Sequence, residues 1–249
     1  MNLNLALDDF AIRCFRNMAD ADYLMARSAF RYQLAPQALW GSMQVIEKYL
    51  KCILLLNRVE GAKIGHSLSK GLKVLVDSKK IDLNLSSASQ EFIGHIDRFG
   101  ECRYLEISVV TYGGQVVDLD RVVWELRRFC APDEYGQVGD RGSAAGSKKV
   151  RLHELSLREG FIPERYRLRN GFLEKIIDDE KHPGRAMLVW QNGFFGKRLR
   201  RSVRHRGGFD AVNSPLFNHP EIIQEVRKYV HVPKDLVQAY EKLQSEKRT

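Results

Sequence analysis

The sequence predicts a mainly α-helical protein, in which an N-terminal antiparallel helical bundle is followed by a basic, mixed α+β C-terminal region. Three observations predict this class. Apolar residues recur at helical spacing through residues 1–130. A stretch rich in Gly, Ser and Ala follows at 131–149 and resembles a linker or exposed loop. Residues 150–249 combine turn signals with an excess of positive charge.

The first helix is predicted over residues 8–34. Pro36 ends it and suits the first turn of a second helix, expected over 36–57. An apolar stripe on the first helix is expected to face the core, and it consists of Phe10, Cys14, Met18, Ala21, Leu24, Met25, Ser28 and Ala29.

Three further helices complete the predicted bundle. Glycines break the chain before a helix over 67–78, which Ser67 is placed to cap. Ser86 or Ser87 begins the next helix, which ends near residue 100, and the last spans 118–130.

The second half of the chain is less regular. Asn170-Gly171 and Asn192-Gly193 are turn signals, and the second follows an apolar run at 186–190, which predicts a short hairpin. Residues 172–180 fit a helix equally well. Two helices are expected near the C-terminus, at 220–230 and 233–243.

The net charge of +9 is unevenly distributed. Residues 1–140 contain 17 Lys and Arg against 18 Asp and Glu, whereas residues 148–208 contain 16 against 7. Such an asymmetry favours a polyanionic partner, nucleic acid before membrane. A solvated basic surface is the alternative.

Composition also indicates the compartment. No run of about 18 apolar residues is present, and the N-terminus lacks the basic start and apolar stretch of a signal peptide. The four cysteines form no CxxC pair and are expected to be reduced thiols, three of them in the core. We therefore expect a cytoplasmic protein without a membrane partner. The histidines lack zinc-site spacing, so neither metal nor cofactor is expected.

The second helix carries the most informative pattern. Gln44, Glu47, Lys48 and Lys51 share one face at helical spacing, so Lys48 and Lys51 are candidate phosphate-binding residues. A solvated face with a Glu47–Lys51 ion pair is the alternative. The opposite face is apolar, with Met43, Ile46, Leu50, Ile53 and Leu54.

Together with three other features, this pattern resembles the HEPN family. Those features are the small residues around Tyr23, the element His66-Ser67-Leu68 and the pair Arg103-Tyr104. The resemblance covers residues 17–130 and is best over 19–75. It implies a helical bundle, an RNA or nucleotide ligand, a homodimer, an antitoxin or other partner protein, and a toxin–antitoxin or defence setting.

Active HEPN ribonucleases carry an Arg and a His separated by four to six intervening residues. Histidine performs the proton transfers of metal-independent RNA cleavage, and Arg stabilises the phosphate charge. Here Arg103 occupies the expected region, but no histidine follows at 108–110. A divergent site would use Arg103 with His95, which otherwise is an ordinary surface histidine. The leading hypothesis is therefore a binding protein, with a divergent metal-independent endoribonuclease and a protein–protein interaction module as alternatives.

A basic segment in the second half is predicted to contact phosphates, because Arg suits bidentate phosphate contacts. Trp190, Phe194 and Phe195 nearby would stack on bases or lie in the core. The candidate phosphate-binding residues of the segment are Lys197, Arg198, Arg200, Arg201, Arg204 and Arg206. A polar stripe on the first helix would either bind phosphate or flank the bundle, and it consists of Tyr23, Arg27 and Arg31.

Overall fold

The mainly α-helical class is confirmed. In the computed structural model, helices account for most of the described chain, and two short strands form a small sheet. No helix within the described ranges is both long enough and apolar enough to cross a bilayer. The structure describes residues 3–100, 106–131, 168, 171–196 and 208–246.

The chain begins with one continuous helical rod. It consists of α1 (Leu3–Phe10), a π-helical segment (Ala11–Arg16) and α2 (Asn17–Arg31). The rod starts five residues before the predicted boundary, and Gln33 takes a positive φ of 58° just after its end.

The central helix is α3 (Ala35–Leu56), with proline in its first turn as predicted. Its predicted apolar face is buried, as are residues on most other sides of the helix. α2 approaches α3 closely at Gly41, where an added Cβ would lie 3.0 Å from the Ala26 Cβ. The glycine therefore permits this helix contact.

The next two helices, α4 (Leu68–Asp77) and α5 (Ser87–Phe99), begin at serine caps. The predicted cap is confirmed, because the Ser67 Oγ accepts from the Lys70 N–H at 3.3 Å. The Asp97 carboxylate on α5 also accepts from two backbone N–H groups of α4, at 2.7 and 3.1 Å. These contacts fix the start of α4 against α5.

A two-stranded antiparallel sheet joins distant parts of the chain. Strand β1 (Val109–Tyr112) pairs with β2 (Phe209–Val212), and Tyr112 lies opposite Phe209. Neither strand is predicted from the sequence, because each has only four residues. Between them in the chain, α6 (Gln115–Arg127) begins and ends three residues earlier than predicted.

Two short helices follow, α7 (Phe172–Asp178) and α8 (Arg185–Val189). The hairpin prediction at 186–190 is wrong, since these residues form α8 and a turn. The Asn192 Oδ1 stabilises this turn by accepting hydrogen bonds from the backbone N–H groups of Phe194 and Phe195, both at 2.9 Å. The asparagine signal therefore marks a turn that follows a helix and not a strand.

The C-terminal residues build a small second core. The elements are α9 (Pro215–Asn218), a 3-10 turn (Pro220–Ile222), α10 (Ile223–Val226) and α11 (Lys234–Glu246). The helix predicted at 220–230 is thus shorter than expected, whereas that at 233–243 is present as α11. The apolar side chains of this core are Leu216, Ile223, Val232, Val237 and Tyr240.

The main core combines the bundle with residues beyond the predicted linker. Leu173, Ile176, Leu188 and Phe195 lie in the same cluster as the buried side chains of α2 to α6. The predicted linker at 131–149 lies outside the described residues apart from Ala131, so its role as a boundary stays a prediction.

The predicted stripe of the first helix is only partly in the core: Ala29 is buried and Leu24 packs on the main core, but four other residues of the stripe are exposed. These are Phe10, Cys14, Met18 and Met25, and the core side carries Ala19, Tyr23 and Ala26 instead. Polar residues on that side are buried because other elements supply their partners, which the sequence does not reveal. Of the other cysteines, Cys52 and Cys130 are buried, and Cys102 lies outside the described residues.

Candidate functional site

The loop between α3 and α4 is shaped by two glycines. Gly65 has φ +64°, a left-handed conformation that favours glycine. At Gly61, an added Cβ would lie 2.9 Å from the Leu54 side chain and 3.0 Å from the Ile64 side chain. The loop therefore folds tightly over the end of α3 before α4 begins.

Beside this loop lies a cavity of about 480 Å³, which we call the lysine pocket. Lys63 comes from the loop, and Lys70 and Lys73 come from one face of α4. Ile64 and Val74 form an apolar wall. The lining residues are Glu60, Gly61, Ala62, Lys63, Ile64, Lys70, Lys73 and Val74.

The three lysines of the pocket are exposed, and their ammonium groups make no ion pair within the described part of the chain. Glu60 contributes one opposing charge, so the lining carries a net charge of +2. Like charges three residues apart on a helix repel one another. A cavity that keeps them unpaired is suited to an anion.

Glu47 joins the two sequence motifs of the α3–α4 region. Its two carboxylate oxygens lie 3.1 Å from the His66 Nδ1, and one of them also accepts from the Lys51 Nζ. The Glu47 side chain is largely buried, whereas His66 is exposed. The predicted Glu47–Lys51 ion pair is therefore present, and His66 completes the cluster.

The two lysines predicted on one face of α3 have different partners. Lys51 joins the Glu47 cluster, whereas Lys48 pairs with Asp22 on α2. Lys48 therefore contributes to helix packing, and its ammonium is already neutralised. Lys51 alone of this pair lies on the side of α3 that faces His66.

The structure describes one residue of the predicted catalytic pair. The His95 Nε2 lies 3.1 Å from the Gln115 Nε2, and the Tyr112 N–H donates to the Gln115 Oε1 at 3.1 Å. The amide N–H of Gln115 therefore donates to His95, which places the imidazole proton on Nδ1. Burial, and secondly the charge of Arg98, lower the pKa of His95. Arg103 lies outside the described residues.

The basic segment lies outside the described residues, so the structure does not place its candidate phosphate-binding residues, which are Lys197, Arg198, Arg200, Arg201, Arg204 and Arg206. The aromatic residues that precede this segment pack against other parts of the protein. Phe195 is buried against Trp124, Phe194 packs on the main core, and Trp190 lies under Arg31 with its ring centroid 5.4 Å from the guanidinium.

A buried polar network, which sequence reasoning missed, holds the bundle together. In its first half the Arg127 guanidinium makes two bonds to Asp20, at 2.8 and 2.9 Å, and two to Glu174, at 2.6 and 2.7 Å. The Tyr49 hydroxyl donates to Asp20 at 2.6 Å. Burial disfavours the charged form of Arg127, but the two carboxylates stabilise that form more strongly, so the pKa of Arg127 is raised. Burial likewise opposes ionisation of Glu174, but Arg127 outweighs it and lowers the Glu174 pKa.

The second half of the network centres on Asp120. Its Oδ1 accepts from Arg27 and from the Tyr23 hydroxyl, and the Asn192 amide donates to that hydroxyl at 2.9 Å. Arg27 also donates to the Met187 and Trp190 carbonyls. Burial raises the pKa of Asp120 despite Arg27, and its Oδ2 has no hydrogen-bond partner among the residues that the structure describes.

The network is structural, because its charged groups are enclosed and already paired. The Arg27 and Asp120 side chains have no exposed area. Arg27 therefore cannot bind phosphate as a member of the predicted stripe of Tyr23, Arg27 and Arg31. The network links α2, α3 and α6 to Glu174 of α7 and to Asn192. It thereby fixes residues 171–196 on the bundle.

The sequence contains a weak signal for the lysine pocket. Lys70 and Lys73 are three residues apart on a predicted helix, and Lys63 precedes them in a glycine-containing loop. That spacing places two charges on one helix face. It does not reveal the cavity, which depends on how the loop folds over α3.

Comparisons with known proteins add no relative. A scan against protein-family models, a search of curated proteins and a search of solved structures each returned no match.

Proposed function

We propose that this protein binds RNA or a nucleotide, and that the lysine pocket holds its phosphate groups. The observation that carries the proposal is the set of three lysines around one cavity, none of which makes an ion pair with another described residue. Its volume of about 480 Å³ is in the range of small-ligand sites, which is roughly 300–1,000 Å³. Lys63, Lys70 and Lys73 supply the charge for phosphate, and Ile64 and Val74 supply an apolar surface for a base or sugar.

The charge of the whole chain supports the same ligand class. The excess of 16 Lys and Arg over 7 Asp and Glu in residues 148–208 raises the local concentration of a polyanion. Combined with the resemblance described above, the proposal is a HEPN-like nucleic-acid or nucleotide-binding protein of a toxin–antitoxin or defence system.

Binding is tested by fluorescence anisotropy with labelled single-stranded RNA and with a labelled nucleotide, in a series of salt concentrations. The test variant carries Lys63→Ala, Lys70→Ala and Lys73→Ala. The matched control carries Lys79→Ala, Lys175→Ala and Lys181→Ala, which remove the same charge from exposed positions outside the pocket.

We expect the pocket variant to lose at least tenfold in affinity. Its log–log salt slope should fall by about 2, because each phosphate contact on a single strand contributes about 0.7. The control variant should lose less affinity, and the slope of its log affinity against log salt concentration should match that of the wild type. Equal losses in the two variants would show that only net charge matters, and would remove the pocket from the proposal.

A second candidate function, a metal-independent endoribonuclease, is favoured by the contact between Glu47 and His66. A buried carboxylate on Nδ1 orients the imidazole and leaves Nε2 free for proton transfer, as in other carboxylate–histidine pairs. His95 is less suited, because its Nε2 already accepts a bond from Gln115.

This candidate is tested with end-labelled RNA in the presence of EDTA. His66→Gln should lower cleavage by about 10²–10⁴-fold if His66 transfers the proton, whereas His95→Gln should have little effect. Arg103→Ala is included because Arg103 is the other predicted catalytic residue. Intact RNA with the wild-type protein would eliminate the ribonuclease function and leave the binding function unaffected.

A further inference from the structure

The small sheet formed by β1 and β2 turns aromatic residues to the outside. Residues directly opposite one another in an antiparallel pair share a face, and so do alternate residues of one strand. The register therefore places Val110 and Tyr112 of β1 on the same face as Phe209 and Ala211 of β2. We call these four residues the outer face.

The inner face of the sheet meets the rest of the protein. Val109 and Thr111 are buried, and Val212 packs on the main core. An antiparallel sheet with one covered face commonly carries polar residues on the other. Here Tyr112 and Phe209 are 55% and 68% exposed, and none of the four outer-face residues is charged. The outer face therefore has the composition of a contact surface.

Backbone hydrogen bonds place the two aromatic residues side by side. The Tyr112 N–H donates to the Gln115 Oε1 at 3.1 Å rather than to β2, and the Gly113 N–H donates to the Gly208 carbonyl at 3.3 Å. Tyr112 and Phe209 are therefore a non-hydrogen-bonded pair, in which opposite Cα atoms lie about 4.5 Å apart and the side chains are closest. Two aromatic side chains thus leave the sheet next to one another.

The chain that leads into β2 is strongly basic. Residues 197–208 contain six Lys and Arg and no Asp or Glu. Residues 197–207 lie outside the described part of the chain, but covalent connectivity keeps the Arg206 Cα within about 11 Å of the Phe209 Cα, because consecutive Cα atoms are about 3.8 Å apart. Asp210, which follows Phe209, lies on the inner face. Positive charge is therefore held close to the exposed aromatic pair.

We propose that the outer face binds single-stranded nucleic acid, with unpaired bases stacked on Tyr112 and Phe209. Every base has a π-face, so exposed aromatic side chains beside positive charge suit a single strand of any sequence. In a duplex the bases are stacked on one another, so their faces are closed to the two rings. A protein partner would need acidic residues beside an apolar surface, whereas each nucleotide of a single strand supplies both a phosphate and a base.

This inference rests on the proposed function for the class of ligand, but the outer face shares no residue with the lysine pocket. The two surfaces can therefore be tested separately. Removal of the lysines should change the salt dependence of binding, whereas removal of the aromatic rings should not, because the rings carry no charge.

Fluorescence anisotropy with a labelled oligouridine strand tests the aromatic pair. Tyr112→Ala combined with Phe209→Ala should lower the affinity at least about tenfold, because the loss of one stacked base has an effect of about this size. The log–log salt slope and the affinity for an RNA duplex should stay at the wild-type values. The matched control is Phe10→Ala combined with Tyr32→Ala, which removes the same residue types from positions that are 51% and 68% exposed, and it should bind as the wild type does.

A leucine variant separates stacking from loss of the sheet. Tyr112→Leu combined with Phe209→Leu keeps an apolar outer face and should lose as much affinity as the alanine variant, with an unchanged circular dichroism spectrum. Wild-type affinity in the leucine variant would overturn the proposal. Equal losses in the alanine variant and the control, or for oligouridine and the duplex, would do so as well. A dimer in sedimentation velocity that the alanine variant alone loses would overturn it in favour of a second copy.

Phe209→Trp reports stacking directly. Oligouridine should quench the fluorescence of the introduced indole, measured as the difference from the wild-type protein, whereas inorganic polyphosphate, which has charge but no bases, should not. Equal quenching by the two polymers would contradict stacking. If the lysine-pocket variant loses affinity and the alanine variant of the outer face does not, the outer face alone is wrong. The reverse result removes only the pocket, and a wild type that binds no RNA overturns both.

Discussion

Glu47 and His66, 19 residues apart in sequence, meet between α3 and the start of α4, where both carboxylate oxygens lie 3.1 Å from the imidazole Nδ1. The carboxylate is largely enclosed and the ring is largely exposed. The contact therefore fixes the orientation of an accessible histidine, and it connects the two sequence motifs through one hydrogen-bonded pair.

The coupling between Glu47 and His66 can be measured by a double-mutant cycle. We expect Glu47→Ala and His66→Ala to show a coupling energy of about 0.5–1 kcal/mol in urea unfolding, because one partner is buried and held in place. Asp9 and Arg13, which are both more than half exposed, provide the control cycle with a coupling near zero. Equal coupling in the two cycles would show that burial of Glu47 adds nothing.

Loss of the Arg127 side chain should destabilise the protein strongly. Arg127→Met leaves Asp20 and Glu174 buried without a counter-charge, so we expect a loss of about 3–5 kcal/mol in the free energy of unfolding. Arg121→Met, which breaks a partly exposed pair with Asp118, should cost less than about 1 kcal/mol. Similar midpoints for the two variants in urea denaturation would contradict the structural role of the network.

Two buried tyrosines should make stability fall at high pH. Burial, followed by the nearby carboxylates, raises the pKa of Tyr23 and of Tyr49 well above its ordinary value. The folded state therefore keeps phenol protons that the unfolded state releases above about pH 10. This stabilisation is fully present below about pH 10 and is lost as the pH rises towards the folded-state pKa.

The slope of the unfolding free energy against pH measures the contribution of each tyrosine. Each should contribute a decline of about 1.4 kcal/mol per pH unit above pH 10, measured by urea unfolding between about pH 9 and pH 11. Tyr23→Phe and Tyr49→Phe should each remove one tyrosine's share of this decline, about 1.4 kcal/mol per pH unit, whatever each substitution does to the free energy of unfolding at neutral pH. Tyr32→Phe, at an exposed position, is the control and should leave the slope unchanged.

Two glycines with opposite backbone requirements form a matched pair. Gly65→Ala should destabilise the protein by about 1 kcal/mol, because φ +64° is unfavourable for a residue with a Cβ. Gly94→Ala should stabilise it by up to about 1 kcal/mol, because Gly94 lies within α5 and an added Cβ meets nothing within 4 Å. Thermal unfolding of the two variants measures both effects, and a shift of the same sign in both would contradict the assigned backbone conformations.

The sequence by itself determined the helices of the first half. Ser67 as the cap of α4, Pro36 in the first turn of α3 and the buried apolar face of α3 were all predicted correctly. These features depend on local hydrogen bonding and on helical periodicity, both of which can be read from neighbouring residues. The Glu47–Lys51 pair was predictable for the same reason, since its partners are one turn apart.

Tertiary structure decided which face of the first helix is buried, how the α3–α4 loop forms the lysine pocket, and which charges pair. Asp20 and Arg27 are buried because Arg127 and Asp120 reach them from α6, about 100 residues further along the chain. Periodicity assigns polar residues to solvent unless such distant partners compensate the cost of burial. The short strands β1 and β2 likewise acquire their structure only from pairing with one another.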